Sequence, residues 1–260
     1  MQGSSRNKNR GLPPKTRADD RVVIRPPKSL RVHFENEAEY AKRDRLELER
    51  RAALALLRGA DVPGRVQKGP TCGLYALGMI MDYWGKCDRS ATVALVQESD
   101  EWRAGSHSLD PDTHDRLLDI ALSRGYTTRG EMLDAAELAA LAEYFGYRAE
   151  VHDHCSLNTI LVAIDQKHPA LVAFDVDDDG NPGDFGGNNA HWAVLQAHFE
   201  DDGTRYLVAS HAWSGGEYVW KAEDLLRSVG QLKQIDVQAF PGAEGDIEKT
   251  LRGRLVEVYR

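Results

Sequence analysis

VQKGPTCGLYALGMIMDYW, residues 66–84, joins a short polar loop directly to an apolar run. Only two of the residues from 75 to 84 are not apolar, which predicts a helix that is buried on almost every side and ends at Gly85. The Thr71 hydroxyl is expected to cap the helix start, which places Cys72 on the first turn. The helix dipole favours thiolate over thiol at that end. The stretch therefore predicts a nucleophilic cysteine, although a cysteine buried in a core helix is the commoner case.

Two further features support nucleophilic chemistry. Gln67 lies five residues before Cys72, and its side-chain amide could hold an oxyanion together with the Cys72 backbone N–H. GGNNAHWAVL, residues 186–195, places His191 where a glycine-rich loop enters a predicted strand. A thiolate nucleophile needs an imidazole that is distant in sequence and adjacent in space. The separation of 119 residues fits a cysteine on a helix that faces a histidine on a strand.

The two motifs together resemble those of the papain-like cysteine peptidases. Gln-x-Gly-Pro-Thr-Cys-Gly-Leu followed by Ala-His-Trp-Ala-Val is most similar to the actin maturation protease group and to the bacteriocin-processing (C39-like) peptidases. The later run from Trp213 through residue 232 is similar to the end of the actin maturation protease pattern, so that the resemblance spans roughly residues 62–235. It implies an α+β papain-like fold, in which an N-terminal helical half carrying the cysteine helix packs on a mostly antiparallel sheet.

The resemblance also implies roles for individual residues. Cys72 is the expected nucleophile, His191 the general base and acid, and Gln67 the oxyanion donor. The expected substrate is a protein or peptide, and an actin-like one if the nearest group is the guide. Four residues beside the nucleophile and base are expected to contact the substrate: Gly69, Gly73, Asn189 and Trp192.

The third catalytic position departs from the family pattern. Papain-like enzymes usually orient the histidine with Asn or Asp at the end of the next strand. Here the strand predicted at 205–211 ends in Ser210 and His211. A neutral His211 could accept a hydrogen bond from the His191 ring, and the Ser210 hydroxyl is the alternative; His211 is the preferred candidate.

The composition indicates one catalytic domain with a tail. Residues 1–34 are basic, with a net charge of +7, and are expected to be a disordered tail. Residues 35–260 form the predicted catalytic domain and carry −15, which argues against nucleic acid as a partner. No apolar run reaches the roughly 18 residues of a membrane helix, and no apolar signal core is present.

Cysteine usage bears on the compartment. Three cysteines, 72, 87 and 155, argue against a disulfide framework and for a reducing compartment. The expected location is the cytoplasm, or a host cytoplasm if the protein is a delivered bacterial effector.

The remaining elements fall into a helical first half and a stranded second half. Asn36 and Glu39 predict the capped start of a helix to residue 58, with Leu46, Leu54 and Leu57 on its core face. Further helices are predicted at 90–98, 110–124, 134–145, 156–166 and 222–228, and strands at 147–152, 169–176, 191–199, 205–211, 217–220 and 232–240. Residues 247–258 are compatible with a helix or a strand.

Two other stretches resemble metal-binding motifs, and neither is expected to bind metal. DVDDDG, residues 175–180, resembles the start of a calcium loop, but the twelfth position is Gly186 instead of a glutamate. A mobile acidic lid beside His191, selecting basic or amino-terminal groups, is the preferred interpretation. HDHC, residues 152–155, resembles a zinc cluster, but alternate residues of a strand face opposite ways and no second cluster has zinc spacing. No metal and no cofactor are expected.

Three functions remain open from the sequence. The leading one is a cysteine peptidase that acts near a polypeptide terminus through an acyl-thioester. A glutamine deamidase or transglutaminase would use the same thioester chemistry with a different leaving group or acceptor. A papain-like scaffold that binds a partner without catalysis is the third, and the unusual residue at the third position motivates it.

Overall fold

The computed structural model describes residues 31–32, 45–87, 111–213, 216–236 and 246–260. The helices within these ranges are α1 (Arg45–Leu56), α2 (Cys72–Cys87), α3 (Pro111–Ser123), α4 (Ala135–Tyr144), α5 (Leu157–Asp165), α6 (Ala222–Gly230) and α7 (Ile247–Thr250). The strands are β1 (Arg31–Val32), β2 (Arg148–His152), β3 (Ala170–Val176), β4 (Pro182–Gly183), β5 (Ala190–Asp201), β6 (Thr204–His211), β7 (Glu217–Lys221) and β8 (Leu255–Tyr259).

The strands form a single sheet with β5 near its centre. The order is β1-β7-β6-β5-β3-β8-β2, with β4 pairing beside β3. Every described pair is antiparallel except β1 with β7. β5 is joined to β6 by a tight hairpin, in which Asp202 (φ 46°) and Gly203 (φ 74°) take the left-handed conformations of a type I′ turn. β5 is therefore paired with β3 from Ala190 onward and with β6 from Ala193 onward, so that His191 lies where this pairing starts.

The sheet is covered on both faces. β3 is buried along its whole length, because its alternate side chains enter two different cores. Leu171 and Ala173 pack with residues of α2, α3 and α4, whereas Val172 and Phe174 pack with α5 and α6. α2 itself is fully enclosed from residue 73 to 80, as its apolar sequence predicts. The cysteine helix is thus fixed against the face of the central strands.

The expected α+β fold of the papain-like type is confirmed: a helical half carrying α2 packs on a mostly antiparallel sheet. Most predicted elements are present within two residues of their expected bounds. Asp134 and Ser156 cap α4 and α5 with their side chains. Residues 247–258 resolve into α7 followed by β8.

Some predicted elements differ. Residues 232–236 are not a strand, because their backbone crosses the 185–189 loop instead of joining the sheet. α2 continues past Gly85 to Cys87. The core face of α1 consists of Leu48, Ala52, Ala55 and Leu56, and Leu54 and Leu57 are exposed.

Several other predictions lie outside the described residues. They are the cap at Asn36 and Glu39, the helix at 90–98, and the tail at 1–34 apart from the two residues of β1. Across the described ranges, no helix is both long and apolar enough to span a membrane.

Candidate active site

Cys72 is the first residue of α2, as predicted, but Thr71 does not cap the helix in the expected way. The Thr71 hydroxyl donates to the Lys68 carbonyl (2.7 Å) and so closes the turn that precedes the helix. The backbone carbonyl of Thr71 accepts the first hydrogen bond of the helix, from the Tyr75 N–H (2.9 Å). Gly69, within that turn, has a positive φ of 70°. The turn therefore fixes the direction in which α2 begins.

The start of α2 lies close against β5. A Cβ added to Gly73 would come within 2.8 Å of the Met132 Cβ and 3.0 Å of the Trp192 Cδ1, so only glycine permits this approach. The Trp192 ring is buried, and its Nε1–H donates to the Met132 carbonyl (2.8 Å). Gly73 and Trp192, both predicted to contact substrate, thus lie in the joint between helix and strand.

Cys72 and His191 are brought together by this joint. Both residues line one cavity of about 20 Å³, together with Met132, Trp192 and Ile235. That volume is on the order of the room that one water molecule needs. The backbone N–H of Trp192, the residue after His191, lies close enough to the Cys72 sulfur to lower the pKa of its thiol. The predicted nucleophile and base are therefore neighbours, although 119 residues separate them in the chain.

The protonation of Cys72 differs from the expectation drawn from the helix dipole. Burial raises the pKa of the thiol from 9.0 to about 11, although hydrogen bonds from the backbone N–H groups of Trp192 and Gly73 act in the opposite direction. Desolvation of the thiolate therefore outweighs the helix terminus. The resting side chain is a thiol at neutral pH, and the predicted resting thiolate is wrong.

His191 is neutral in the same environment. Burial, followed by the neighbouring His211, holds the pKa of His191 well below its usual value of 6.5. Its ring lies edge-to-face against Phe174, His211 and Trp213, with centroids 5.0 to 6.0 Å away. Among the described residues, its Nε2 atom has no hydrogen-bond partner. A neutral imidazole with an unused nitrogen can accept a proton from a thiol.

His211 lies beside His191, but its hydrogen bonds point elsewhere. Its Nε2 donates to the Gly180 carbonyl (3.0 Å), and its Nδ1 accepts from the Trp213 N–H (3.4 Å). Because both ring nitrogens are used in this way, the geometry favours a packing contact over the predicted acceptor role. The alternative, Ser210, has its hydroxyl bound by the Gln196 amide (2.9 Å). Neither residue makes a described hydrogen bond to the His191 ring.

Gln67 is anchored close to the end of β6. Its backbone N–H donates to the Ala212 carbonyl (2.8 Å), and its side-chain Nε2 donates to the Gly69 carbonyl (3.0 Å). The second N–H of that amide group is not used in this bond. The Gln67 Oε1 is buried and lacks a partner within the described part of the chain.

Asp175 is a buried residue of the site, although its sequence context predicted that it belongs to an acidic surface loop. It is wholly enclosed at the end of β3, and its carboxylate accepts backbone N–H groups of the loop that leads into His191. Asn189, predicted to contact substrate, takes part in this loop: its N–H donates to Asp175 and its side chain to the Val176 carbonyl. An aspartate within the otherwise apolar strand ALVAFDV was the signal that could have identified it.

The acidic loop after β3 is tied down by its own backbone. Asp177 accepts the N–H groups of Asp179 (3.0 Å) and Asn181 (2.7 Å). Only Asp178 and Asp179 of the four aspartates are exposed, so the acidic surface beside the site is smaller than the sequence suggested. This geometry does not form a calcium loop, because the Asp175 and Asp177 carboxylates accept backbone N–H groups.

A second cluster of ligand types lies between β2 and β8. Glu150, His152 and Glu257 have potential ligand atoms within 4.8 Å of one another. The Glu257 carboxylate is already bound by His152 (3.0 Å) and by His168 (2.5 Å) from its two sides. His154 and Cys155 are not part of this group. The arrangement is that of a hydrogen-bonded His–Glu–His cluster that joins β2, β8 and the loop before β3.

Comparison with known proteins agrees with the motifs. The model of the actin maturation protease-like C-terminal domain matches residues 62–198, which include Cys72, Gln67 and His191. The Xenopus tropicalis protein named actin maturation protease is 30% identical to this chain, over 70% of this chain and 64% of its own length. The Bos taurus protein of that name is 33% identical, over 52% of this chain and 34% of its own length. The Drosophila melanogaster protein of that name is 28% identical, over 65% of this chain and 55% of its own. The chain thus spans between a third and two thirds of these relatives, and by its matching domain it belongs to the actin maturation protease-like family.

Proposed function

We propose that this chain is a cysteine peptidase that cleaves a peptide bond near the terminus of a protein substrate. The observation that carries the proposal is the pairing of Cys72 with His191 at one cavity, where α2 meets β5. The name of the relatives supports actin, or a protein with an actin-like terminus, as the substrate.

The protonation states define how the first step proceeds. The resting pair is a thiol and a neutral imidazole. His191 takes the Cys72 proton as the sulfur attacks the substrate carbonyl, and the carbonyl π-electrons move to oxygen. The Gln67 amide and the Cys72 N–H donate hydrogen bonds to that oxyanion. Substrate binding must turn the Gln67 amide away from Gly69 or use its second N–H.

The later steps return the pair to its starting state. The carbon–nitrogen bond breaks, and His191 gives its proton to the leaving amine, which leaves an acyl-thioester on Cys72. Water then attacks the thioester while His191 accepts a proton from it. The sulfur departs and is reprotonated, and the new carboxylic acid is released.

Identification of the released group tests the proposal against an acyl transferase. The full chain is incubated with a synthetic peptide of an actin amino terminus, and products are identified by mass spectrometry, with ammonia measured in parallel. We expect a shortened peptide, lost in Cys72→Ala and His191→Ala and retained in Cys155→Ser. Release of ammonia from a glutamine-containing peptide without cleavage would instead indicate a deamidase. Absence of both products, with intact binding of the peptide, would indicate the non-catalytic scaffold.

A further inference from the structure

The Asp175 carboxylate is bound by four donors in a fully buried position. Its Oδ2 accepts the N–H groups of Phe185 (2.9 Å) and Gly187 (2.8 Å) and the side-chain amide of Gln231, and its Oδ1 accepts the N–H of Asn189 (3.0 Å). A carboxylate is costly to bury without such donors, and here the surrounding backbone and Gln231 supply four of them. Three of the donors are alternate backbone amides of one loop.

That loop leads directly into His191. Gly186 (φ 72°) and Gly187 (φ 101°) take left-handed conformations, and successive N–H groups in such a segment can converge on one anion. Gly187 is also pressed against the crossing 232–236 segment, since an added Cβ would lie 2.3 Å from the Gln234 carbonyl oxygen. The carboxylate is therefore a common anchor of this loop, in addition to the loop's own bonds from the Asn188 N–H to the Phe185 carbonyl (3.3 Å) and from the Ala190 N–H to the Gly187 carbonyl (3.1 Å).

Asp175 also belongs to the strand that pairs with His191. In the β3–β5 register, Asp175 lies opposite Ala190 and Phe174 lies opposite His191. Gln231 adds a second connection, because its Oε1 accepts the Gly186 N–H (2.6 Å) while its amide binds Asp175. The Asp175 carboxylate thus connects the loop that leads into β5 both to β3 and, through Gln231, to the end of α6.

Among the described residues, no polar side chain holds the His191 ring by a hydrogen bond. Within the described residues its Nε2 is unpartnered, and its contacts are with the rings of Phe174, His211 and Trp213. Ring packing restrains the tilt of the imidazole, while the β3–β5 pairing and the Asp175-bound loop together fix the end of β5 from which it projects. We infer that Asp175 is the positioning residue of His191, acting through the 185–189 loop in place of a side chain that hydrogen bonds to the imidazole.

This inference rests on the proposed chemistry of Cys72 and His191, and it predicts a defect that a general loss of stability would not give. Asp175→Asn keeps the volume and one carbonyl oxygen but turns an NH₂ group towards backbone donors. The loop must then move, and the imidazole moves with it relative to the Cys72 sulfur. A displacement on the order of 1 Å at a reacting group is enough to reduce a rate by about 100-fold.

The test uses the full chain and two readouts at 25 °C. The first is the rate at which iodoacetamide alkylates Cys72, measured by peptide mass at pH 6 to 9. The second is the imidazole ¹H–¹³C NMR signal of His191, assigned by its loss in His191→Ala, whose position reports the ring currents of Phe174 and Trp213. Asp177→Asn is the matched control, because Asp177 also accepts two backbone N–H groups but none from the 185–189 loop.

In an Asp175→Asn protein that circular dichroism shows to be folded, we expect a shifted His191 signal and alkylation of Cys72 slowed at least tenfold. Asp177→Asn is expected to change neither the signal nor the alkylation rate. If Asp175→Asn does not fold, Gln231→Ala, which removes one donor to the carboxylate, is expected to shift the His191 signal. A folded Asp175→Asn, or in its absence a folded Gln231→Ala, with an unchanged His191 signal would overturn the inference. If His191→Ala alkylates as fast as wild type, the proposed Cys–His chemistry fails, while the NMR signal still decides whether Asp175 positions the ring.

Discussion

Replacing Gly73 with alanine perturbs the joint between α2 and β5 by a single methyl group. The added Cβ would lie 2.8 Å from the Met132 Cβ and 3.0 Å from the Trp192 Cδ1, whereas ordinary contact begins at 3.4 Å. The start of the helix must therefore move by about 0.6 Å from the Met132 segment and by about 0.4 Å from the Trp192 ring on β5. The Trp192 ring cannot turn aside freely, because its Nε1–H is bound to the Met132 carbonyl. Overpacking of this kind costs about 1–3 kcal/mol.

The methyl group also has a favourable effect that must be subtracted. Alanine favours a helix over glycine by about 1 kcal/mol, so the net loss of unfolding free energy is about 0–2 kcal/mol. Since Cys72 precedes Gly73, the same separation moves the sulfur away from His191, and we expect turnover to fall about tenfold. Gly85→Ala, in the same helix, is the control, since its Cβ would meet nothing within 4 Å.

Urea denaturation and steady-state turnover measure the two effects in each variant. Gly85→Ala is expected to be neutral or slightly stabilising, with normal turnover. A Gly73→Ala protein with wild-type stability and wild-type turnover would refute the claim that this close approach sets the position of Cys72.

Three further predictions concern individual side chains. The pKa of His191 is depressed on folding, so the unfolded chain binds an additional proton below pH 6.5. The unfolding free energy should therefore fall with decreasing pH, by at most about 1.4 kcal/mol per pH unit from this group. The dependence of unfolding free energy on pH should be weaker in His191→Leu. Gln67→Ala should reduce kcat by about 10²–10³-fold with little change in KM, as expected for an oxyanion donor, and an unchanged kcat would exclude that role. Burial raises the pKa of the Cys155 thiol to about 12, and Cys155→Ala should leave turnover intact; loss of activity in that folded variant would point to a second functional thiol.

Local sequence patterns were sufficient to predict most of the fold. The unbroken apolar run after Cys72 indicated a buried helix, because this pattern acts within a few residues of the chain. The face of α1 was harder to predict. Leu54 and Leu57 are apolar yet exposed, since the side that becomes buried is chosen by Tyr206 and Val208 on a strand 150 residues away.

The positions of the candidate catalytic residues were also predictable, but their charges were not. The motifs identified Cys72 and His191, which line one cavity, whereas Gln67 is anchored to the Ala212 carbonyl after β6 and its role as oxyanion donor stays a prediction. The thiolate was predicted from the helix terminus, which is a local effect. The raised pKa results from burial beneath β5 and the Met132 segment, and such desolvation depends on tertiary packing that a linear pattern does not contain.

Asp175 illustrates the same limit for polar residues. In the sequence it begins an acidic run, and the four aspartates invite a single explanation. In the structure the run is divided: Asp175 faces inward and binds the loop before His191, whereas Asp178 and Asp179 face solvent. The distinction depends on where β3 ends, and a boundary of one or two residues is the least certain part of a sequence-based prediction.

Direct detection of an acyl group on Cys72 tests the central claim most simply. The full chain is mixed with an amino-terminal actin peptide, quenched in acid within the first turnover, and mapped by peptide mass spectrometry. A thioester-linked fragment is predicted on the peptide that contains Cys72, forming about 10²–10⁴-fold more slowly in His191→Ala and absent in Cys72→Ala. Cleavage of the substrate by Cys72→Ala at the wild-type rate would contradict the account.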